Sequence, residues 1–178
     1  MGDANQHRFV LELKDRLSGP FLEIGSRNYG NTQDLRSLFK GDTYIGADLS
    51  DGDGVDVVLD LTQSFEVIDE KLGHQRFGTI FSFSVMEHCD NPFLMAENMV
   101  QLLKPGGKVV LSVPFAWKFH GYPSDYWRFT TEGVKKLFPR IDWDAGDSGR
   151  CTGRQFTDRS GLRLCRSEDS VRVNDHRV

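Results

Sequence analysis

Apolar residues return along the chain with two alternating periods. Val10, Leu13 and Leu17 recur at helical spacing, which predicts an amphipathic helix covering one end of the fold before the Ser18-Gly19-Pro20 turn. Phe21-Leu22-Glu23-Ile24 is a short apolar run closed by Gly25; after a polar loop, Leu35, Leu38 and Phe39 return at helical spacing, so the segment reads strand, glycine loop, helix. Lys40-Gly41-Asp42 turns the chain into a second strand, Thr43 to Asp48, and Val55 to Leu59 is a third, ending near Asp60. Phe77 to Phe83 is the fourth. Asn91-Pro92 opens a helix carrying Leu94, Met95, Met99, Leu102 and Leu103, for which Asp90 is the expected N-cap. Lys104-Pro105-Gly106-Gly107 then leads into a fifth strand, Lys108 to Val113, which Pro114 ends.

Strands alternating with helices at this pitch predict an α/β fold: a doubly wound, mostly parallel sheet with helices on both faces, because parallel neighbours need right-handed crossovers. Beyond Pro139 the texture changes. Residues 140–178 hold eight Arg, no Lys and few apolar side chains. Ile141-Asp142-Trp143 and Gly161 to Cys165 read as short closing strands, truncated within an Arg-rich, partly irregular tail whose low apolar content does little to offset ordering entropy. No repeat or linker divides the chain, so residues 1–178 are expected to form one domain.

Composition narrows the function classes. A chain of 178 residues with 38% hydrophobic residues can bury a full core. Its net charge of −4 argues against nonspecific nucleic-acid binding, which needs a surplus of Lys and Arg. No apolar run reaches membrane-spanning length, and Met1 to Gln6 lacks the pattern of a secretory signal, so a cytoplasmic protein is expected. The odd set Cys89, Cys151 and Cys165 suits a reducing compartment, and without a short paired spacing it does not read as a zinc set. Asp48 to Gly54 imitates a calcium loop but places Leu49 at the first ligand position. No metal is expected, and no oligomeric state is specified.

In an open parallel sheet, ligands bind beyond the carboxyl ends of the strands, where the order reverses. After strand one stands Glu23-Ile24-Gly25-Ser26-Arg27-Asn28-Tyr29-Gly30, in which glycine permits close backbone approach. Asp48 ends strand two, where an acid can accept hydrogen bonds from both hydroxyls of a ribose. A glycine loop followed by this acid points to an adenosine-type cofactor. The pyrophosphate fingerprint is incomplete, since its second glycine would fall on Arg27, and no Gly-Lys-Ser/Thr of a P-loop occurs. A ribosyl cofactor without phosphate fits better than a nicotinamide dinucleotide.

With these pieces in order, together with Asp60-Leu61, Ser84-Val85-Met86-Glu87-His88 and Leu102 to Gly107, the sequence resembles the class I S-adenosylmethionine-dependent methyltransferases of type 11-like character, over about Pro20 to Phe138. The resemblance implies a Rossmann-like sheet and S-adenosylmethionine as cofactor. It implies that Glu23, Gly25 and Ser26 lie under the methionine part, that Asp48 holds the ribose and Leu49 packs on the adenine. Asp60 and Leu61 would meet the adenine edge, and Ser84 and Val85 would line the floor beside the sulfonium. The commoner Gly-x-Gly is replaced here by Gly25-Ser26-Arg27.

Methyl transfer is an in-line displacement, governed by positioning and exclusion of water. A hydroxyl acceptor needs a base, and His88 has the right intrinsic pKa and placement; it could equally pack or cap the next helix. The run Pro114 to Thr130 concentrates aromatics with His120, Asp125 and Arg128, and the resemblance extends into it. It reads either as the wall of an acceptor pocket, with His120 and Asp125 as catalytic candidates, or as packed aromatics with a local Asp125–Arg128 pair. The expected acceptor is a small molecule or glycan-like group, methylated on O or N. The alternatives are a noncatalytic cofactor-binding or interaction module of the same fold and, less favoured, a nicotinamide oxidoreductase.

Overall fold

The computed structural model describes residues 4–30, 33–121, 123–142, 148–150, 162–165 and 172–173. α1 (Ala4–Leu13) runs into a 3-10 turn, Lys14–Arg16, and leads to β1 (Phe21–Ile24). β2 (Tyr44–Asp48), β3 (Val57–Val58), α2 (Phe65–Lys71) and β4 (Phe77–Phe83) follow. α3 (Pro92–Leu102), β5 (Leu103–Pro114) and α4 (Thr131–Leu137) complete the helical part, and β6 (Ile141–Asp142), β7 (Ser148–Arg150), β8 (Leu162–Cys165) and β9 (Arg172–Val173) close the chain. The main sheet has the order β3-β2-β1-β4-β5-β8-β7. Its first five strands are parallel, in the expected doubly wound arrangement, and β8 and β7 are antiparallel. Trp143 and Gly161, included above in the closing strands, lie outside the described residues. Among the described residues no helix is long and apolar enough to cross a membrane.

Alternation along β1 and β4 divides the core in two. Leu22, Ile24 and Ile80 face α2, α3 and α4 through Ile68, Met95, Met99 and Leu137. Phe21, Phe81 and Phe83 face the other way, onto Phe9, Val10 and Leu13 of α1 and onto Leu35 and Phe39. A ten-residue helix is marginal by itself. Burial of those three α1 side chains, at about 1.5–3 kcal/mol each for large apolar groups, holds it on the sheet face rather than across an end of the fold.

Several local expectations are corrected. The helix predicted around Leu35, Leu38 and Phe39 is only a 3-10 turn, Arg36–Phe39; two buried anchors, Leu35 and Phe39, bounded by Gly41 at φ 101°, do not sustain further turns. The N-cap of α3 is Asn91, not Asp90: Pro92 occupies the first turn, and Asn91 Oδ1 accepts from Leu94 N at 3.1 Å. The third strand narrows to Val57–Val58. The fifth begins at Leu103, with a register shift against Phe77 and Thr79 that absorbs the Lys104–Gly107 segment. α2 was not foreseen, although Phe65, Ile68 and Leu72 carry its helical spacing.

Candidate cofactor and acceptor site

The order reverses between β1 and β4, so their carboxyl ends form the crevice. Gly25 leaves β1 at φ 79°, and a Cβ there would stand 2.4 Å from Val85 Cγ2. Glycine is therefore required twice, by conformation and by close approach. Ser84 ends β4 at φ 53°, a left-handed conformation uncommon outside glycine, and its hydroxyl accepts from Gln6 Nε2 at 3.3 Å. The same amide donates to Ser112 Oγ at 2.6 Å, so a buried side chain of α1 joins the ends of β4 and β5. The sequence pattern gave no sign of Gln6 as a site residue.

The glycine loop is braced by the segment after β2. Asn28 N donates to Asp53 O at 2.8 Å, and Asn28 Nδ2 to Asp53 Oδ2 at 3.0 Å. Gly46 lies so close that a Cβ would meet Gly54 O at 2.2 Å and Ser26 Oγ at 2.7 Å. The sequence resembling a calcium loop thus packs against the glycine loop. Asp48, at the end of β2, accepts from Arg27 N at 3.3 Å and Ser50 N at 3.1 Å. Leu49 beside it is 57% exposed. Asp60 Oδ1 accepts from the backbone and hydroxyl of Thr62, at 2.8 and 2.7 Å. Leu61 is buried, and its carbonyl accepts from Asn98 Nδ2 at 2.9 Å.

A cavity of about 320 Å³ opens at the end of β1, lined by Glu23, Gly25, Ser26, Arg27, Asn28 and the Gln33–Arg36 segment. Asp48, Leu49 and Asp60 are outside it, in line along the ends of β2 and β3. Burial pushes the Glu23 carboxyl above its ordinary range, against the pull of the Tyr44 hydroxyl donating at 2.7 Å. Ser26 Oγ is buried with no hydrogen-bond partner. A deep carboxylate wanting positive charge and an unpaired hydroxyl fit the amino-acid part of S-adenosylmethionine, and the residues present are suited to that cofactor.

On the other side of the crevice, Met86–His88 form a 3-10 turn covered by the post-β5 loop. Tyr126 N and Trp127 N donate to Glu87 O at 2.8 and 3.2 Å, and Trp127 Nε1 donates to Cys89 O at 2.7 Å. His88 Nδ1 lies 2.5 Å from Ser124 O. A carbonyl only accepts, so Nδ1 carries the proton and Nε2 the lone pair. That Nε2 is buried and unpartnered, as is Glu87 Oε2. Burial raises the Glu87 carboxyl to about 7 and lowers the His88 imidazole below its ordinary value.

Asp125 is a clamp for the loop. Its side chain is 1% exposed and receives Arg128 in a bidentate pair, at 2.5 and 2.7 Å, with His120 N at 2.8 Å. The guanidinium holds the carboxyl far below the carboxylate range, which makes it a permanent anion. The local pair considered from the sequence is present. Among the described residues of this run, the packed-aromatic alternative holds for buried Phe129, whereas Phe115, Trp117, Phe119, Tyr126 and Trp127 are exposed.

A glycine loop after β1 and acids at the ends of β2 and β3, on this strand order, are the arrangement expected of a class I S-adenosylmethionine-dependent enzyme. The methyltransferase-domain family profile matches residues 3–165, and the chain belongs to that family, whose cofactor is S-adenosylmethionine. Among solved structures, the 1,6-didemethyltoxoflavin-N1-methyltransferase of Burkholderia thailandensis, with 1,6-didemethyltoxoflavin and S-adenosylhomocysteine bound, is 16% identical at a TM-score of 0.68, over 97% of this chain and 79% of that one. The N-methyltransferase NodS of Bradyrhizobium japonicum WM9 with S-adenosylhomocysteine is 17% identical, TM-score 0.63, over 90% and 84%. The glycopeptide N-methyltransferase MtfA with S-adenosylhomocysteine is 16% identical, TM-score 0.64, over 92% and 89%. At these identities the likeness is one of fold. No curated protein matches the chain in sequence.

Proposed function

We propose that the protein methylates an oxygen or nitrogen of a small-molecule or glycan-like acceptor, in the cytoplasm, with residues 1–178 acting as one methyltransferase domain and 140–178 as its polar tail. The observation that carries this reading is the buried, unpartnered Nε2 of His88, shortly after Ser84 and Val85 and beneath a loop of exposed aromatics. A buried imidazole lone pair beside the crevice is free to accept from a hydroxyl or amine of an acceptor. Two of the structural relatives are named for acceptors of this kind, a small heterocycle and a glycopeptide. The net charge of −4 is in keeping with an acceptor that is not a nucleic acid.

S-adenosylmethionine supplies an electrophilic methyl group on a sulfonium. Glu23 and Ser26 hold the amino-acid end, and Asp48 accepts from the ribose hydroxyls. Leu49 covers the adenine; the Asp60 carboxylate and Leu61 meet its edge. Ser84 and Val85 set the floor, while His88 Nε2 meets the acceptor nucleophile. His120 and Asp125 are positioning residues of the covering loop.

Titration calorimetry with S-adenosylmethionine and S-adenosylhomocysteine, with reduced nicotinamide dinucleotide as control, tests the cofactor side; selective binding of the first pair is expected. A labelled-methyl acceptor screen then tests transfer, and binding without transfer to any small-molecule or glycan acceptor would favour the noncatalytic module. Asp48→Ala removes charge-assisted hydrogen bonds of about 1.5–3 kcal/mol and should weaken S-adenosylhomocysteine roughly 10–100-fold. An unchanged Kd would remove Asp48 from the site. His88→Ala should lower kcat at least about tenfold with cofactor affinity intact. An unaltered rate would return His88 to packing.

A further inference from the structure

We propose that Glu87, His88 and His120 form a binding site for a divalent transition-metal ion of the zinc or manganese type, at the acceptor end of the crevice. Expectation from the sequence was of no metal, because the cysteines lack a short paired spacing and Asp48 to Gly54 puts Leu49 at the first position of a calcium loop. The fold creates the set by laying the post-β5 loop over the Met86–His88 turn. One donor atom from each of the three side chains falls within 4.8 Å of the others, with His88 Nε2 3.9 Å from Glu87 Oε1. The imidazole rings meet edge to face, their centroids 4.8 Å apart.

Both histidines are prepared as ligands by the partners of their other nitrogens. His88 Nδ1 donates to Ser124 O, and His120 Nδ1 lies 3.3 Å from both Lys118 O and Asp125 Oδ2. Each ring therefore keeps its lone pair on Nε2, and the carboxylate–histidine pairing of Asp125 with His120 is one that orients imidazoles toward metals. A second observation is independent of this. Glu87 is 1% exposed, and its Oε2, like His88 Nε2, is buried with no partner; such atoms are rare in folded proteins. Asp125 is already paired with Arg128, so Glu87 is the carboxylate of the cluster that a bound cation would neutralise. Two imidazole nitrogens and one carboxylate oxygen suit zinc, manganese or iron(II) better than magnesium, and three protein ligands leave positions open.

What the ion does rests on the proposed function. An acceptor hydroxyl coordinated to it is acidified and loses its proton to water. The new O–C bond forms as the C–S bond breaks, and the electron pair of that bond returns to sulfur. His88 then serves as ligand rather than proton acceptor.

The test titrates chelator-treated full-length protein with Zn²⁺ by calorimetry and with Co²⁺ by visible absorption, measuring S-adenosylhomocysteine binding in parallel. One site per chain is expected, weakened about 100-fold or more in Glu87→Gln and in His120→Ala, and roughly 10–100-fold in Asp125→Asn. S-adenosylhomocysteine binding retained in the variants shows that they are folded. Absence of the site in the wild-type chain, or equal metal affinity in wild type and both ligand variants, would overturn the proposal. Failure of S-adenosylhomocysteine to bind the wild-type chain would count against the cofactor reading, while the metal titration would still decide this one.

Discussion

Gly25→Ala should reduce S-adenosylhomocysteine affinity by about two orders of magnitude or more and lower the Tm measurably. An alanine at φ 79° costs about 1–2 kcal/mol in backbone conformation. Its Cβ would also stand 2.4 Å from Val85 Cγ2, and overpacking of this sort costs about 1–3 kcal/mol. Val85 is β-branched and half-buried, so it has few rotamers with which to escape. The glycine loop must then lift off the end of β4, carrying the floor of the Glu23 cavity with it. Combining Gly25→Ala with Val85→Ala should recover the steric part and leave the conformational part, a coupling of about 1–3 kcal/mol in a double-mutant cycle. Additive losses would show that the two loops are not in contact, and unchanged affinity in the single variant would remove the loop from the cofactor site.

Asp125→Ala should release the loop that covers the acceptor side. Removing one partner of a buried ion pair costs about 3–5 kcal/mol, and about 2–4 kcal/mol is expected here because the Arg128 side chain keeps 28% exposure. The loss should be local. Hydrogen exchange at residues 117–129 should accelerate and the fluorescence of Trp117 and Trp127 should shift, while amides of β1 and β4 keep their protection. Cofactor affinity should change little, since Asp125 touches nothing near Glu23 or Asp48. Unaltered exchange in the loop would show that the contacts of Tyr126 and Trp127 with the Glu87 and Cys89 carbonyls suffice to hold it.

The parallel strands were readable because each is a short apolar run, with Gly25, Asp48 and Pro114 marking the ends of β1, β2 and β5; β4 matches its expected limits of Phe77 and Phe83. Their ends were readable too, which places Gly25, Asp48, Asp60 and Ser84 at the carboxyl end of the sheet. The 3-10 turn at Arg36–Phe39 was harder, since its periodicity is that of a helix and only the number of buried anchors distinguishes the two. Asp90 and Asn91 are both good caps, and the choice depended on where Pro92 falls in the first turn. Exposure of the loop aromatics could not be read at all, because Trp and Phe look the same in sequence whether they face core or solvent. His120 is brought to His88 by long-range bonds of the covering loop, such as Tyr126 N to Glu87 O and His88 Nδ1 to Ser124 O, and no local pattern encodes those.

Gln6 gives the amino-terminal helix an unusual standing. Its amide lies against Ser84, the residue with left-handed backbone at the lip of the crevice, and against Ser112 on the next strand. Affinity tags, fusions or truncations at that end of the chain will therefore be felt at the carboxyl ends of two central strands: moving α1 by one turn would withdraw the amide and leave two hydroxyls to be solvated at the ends of β4 and β5.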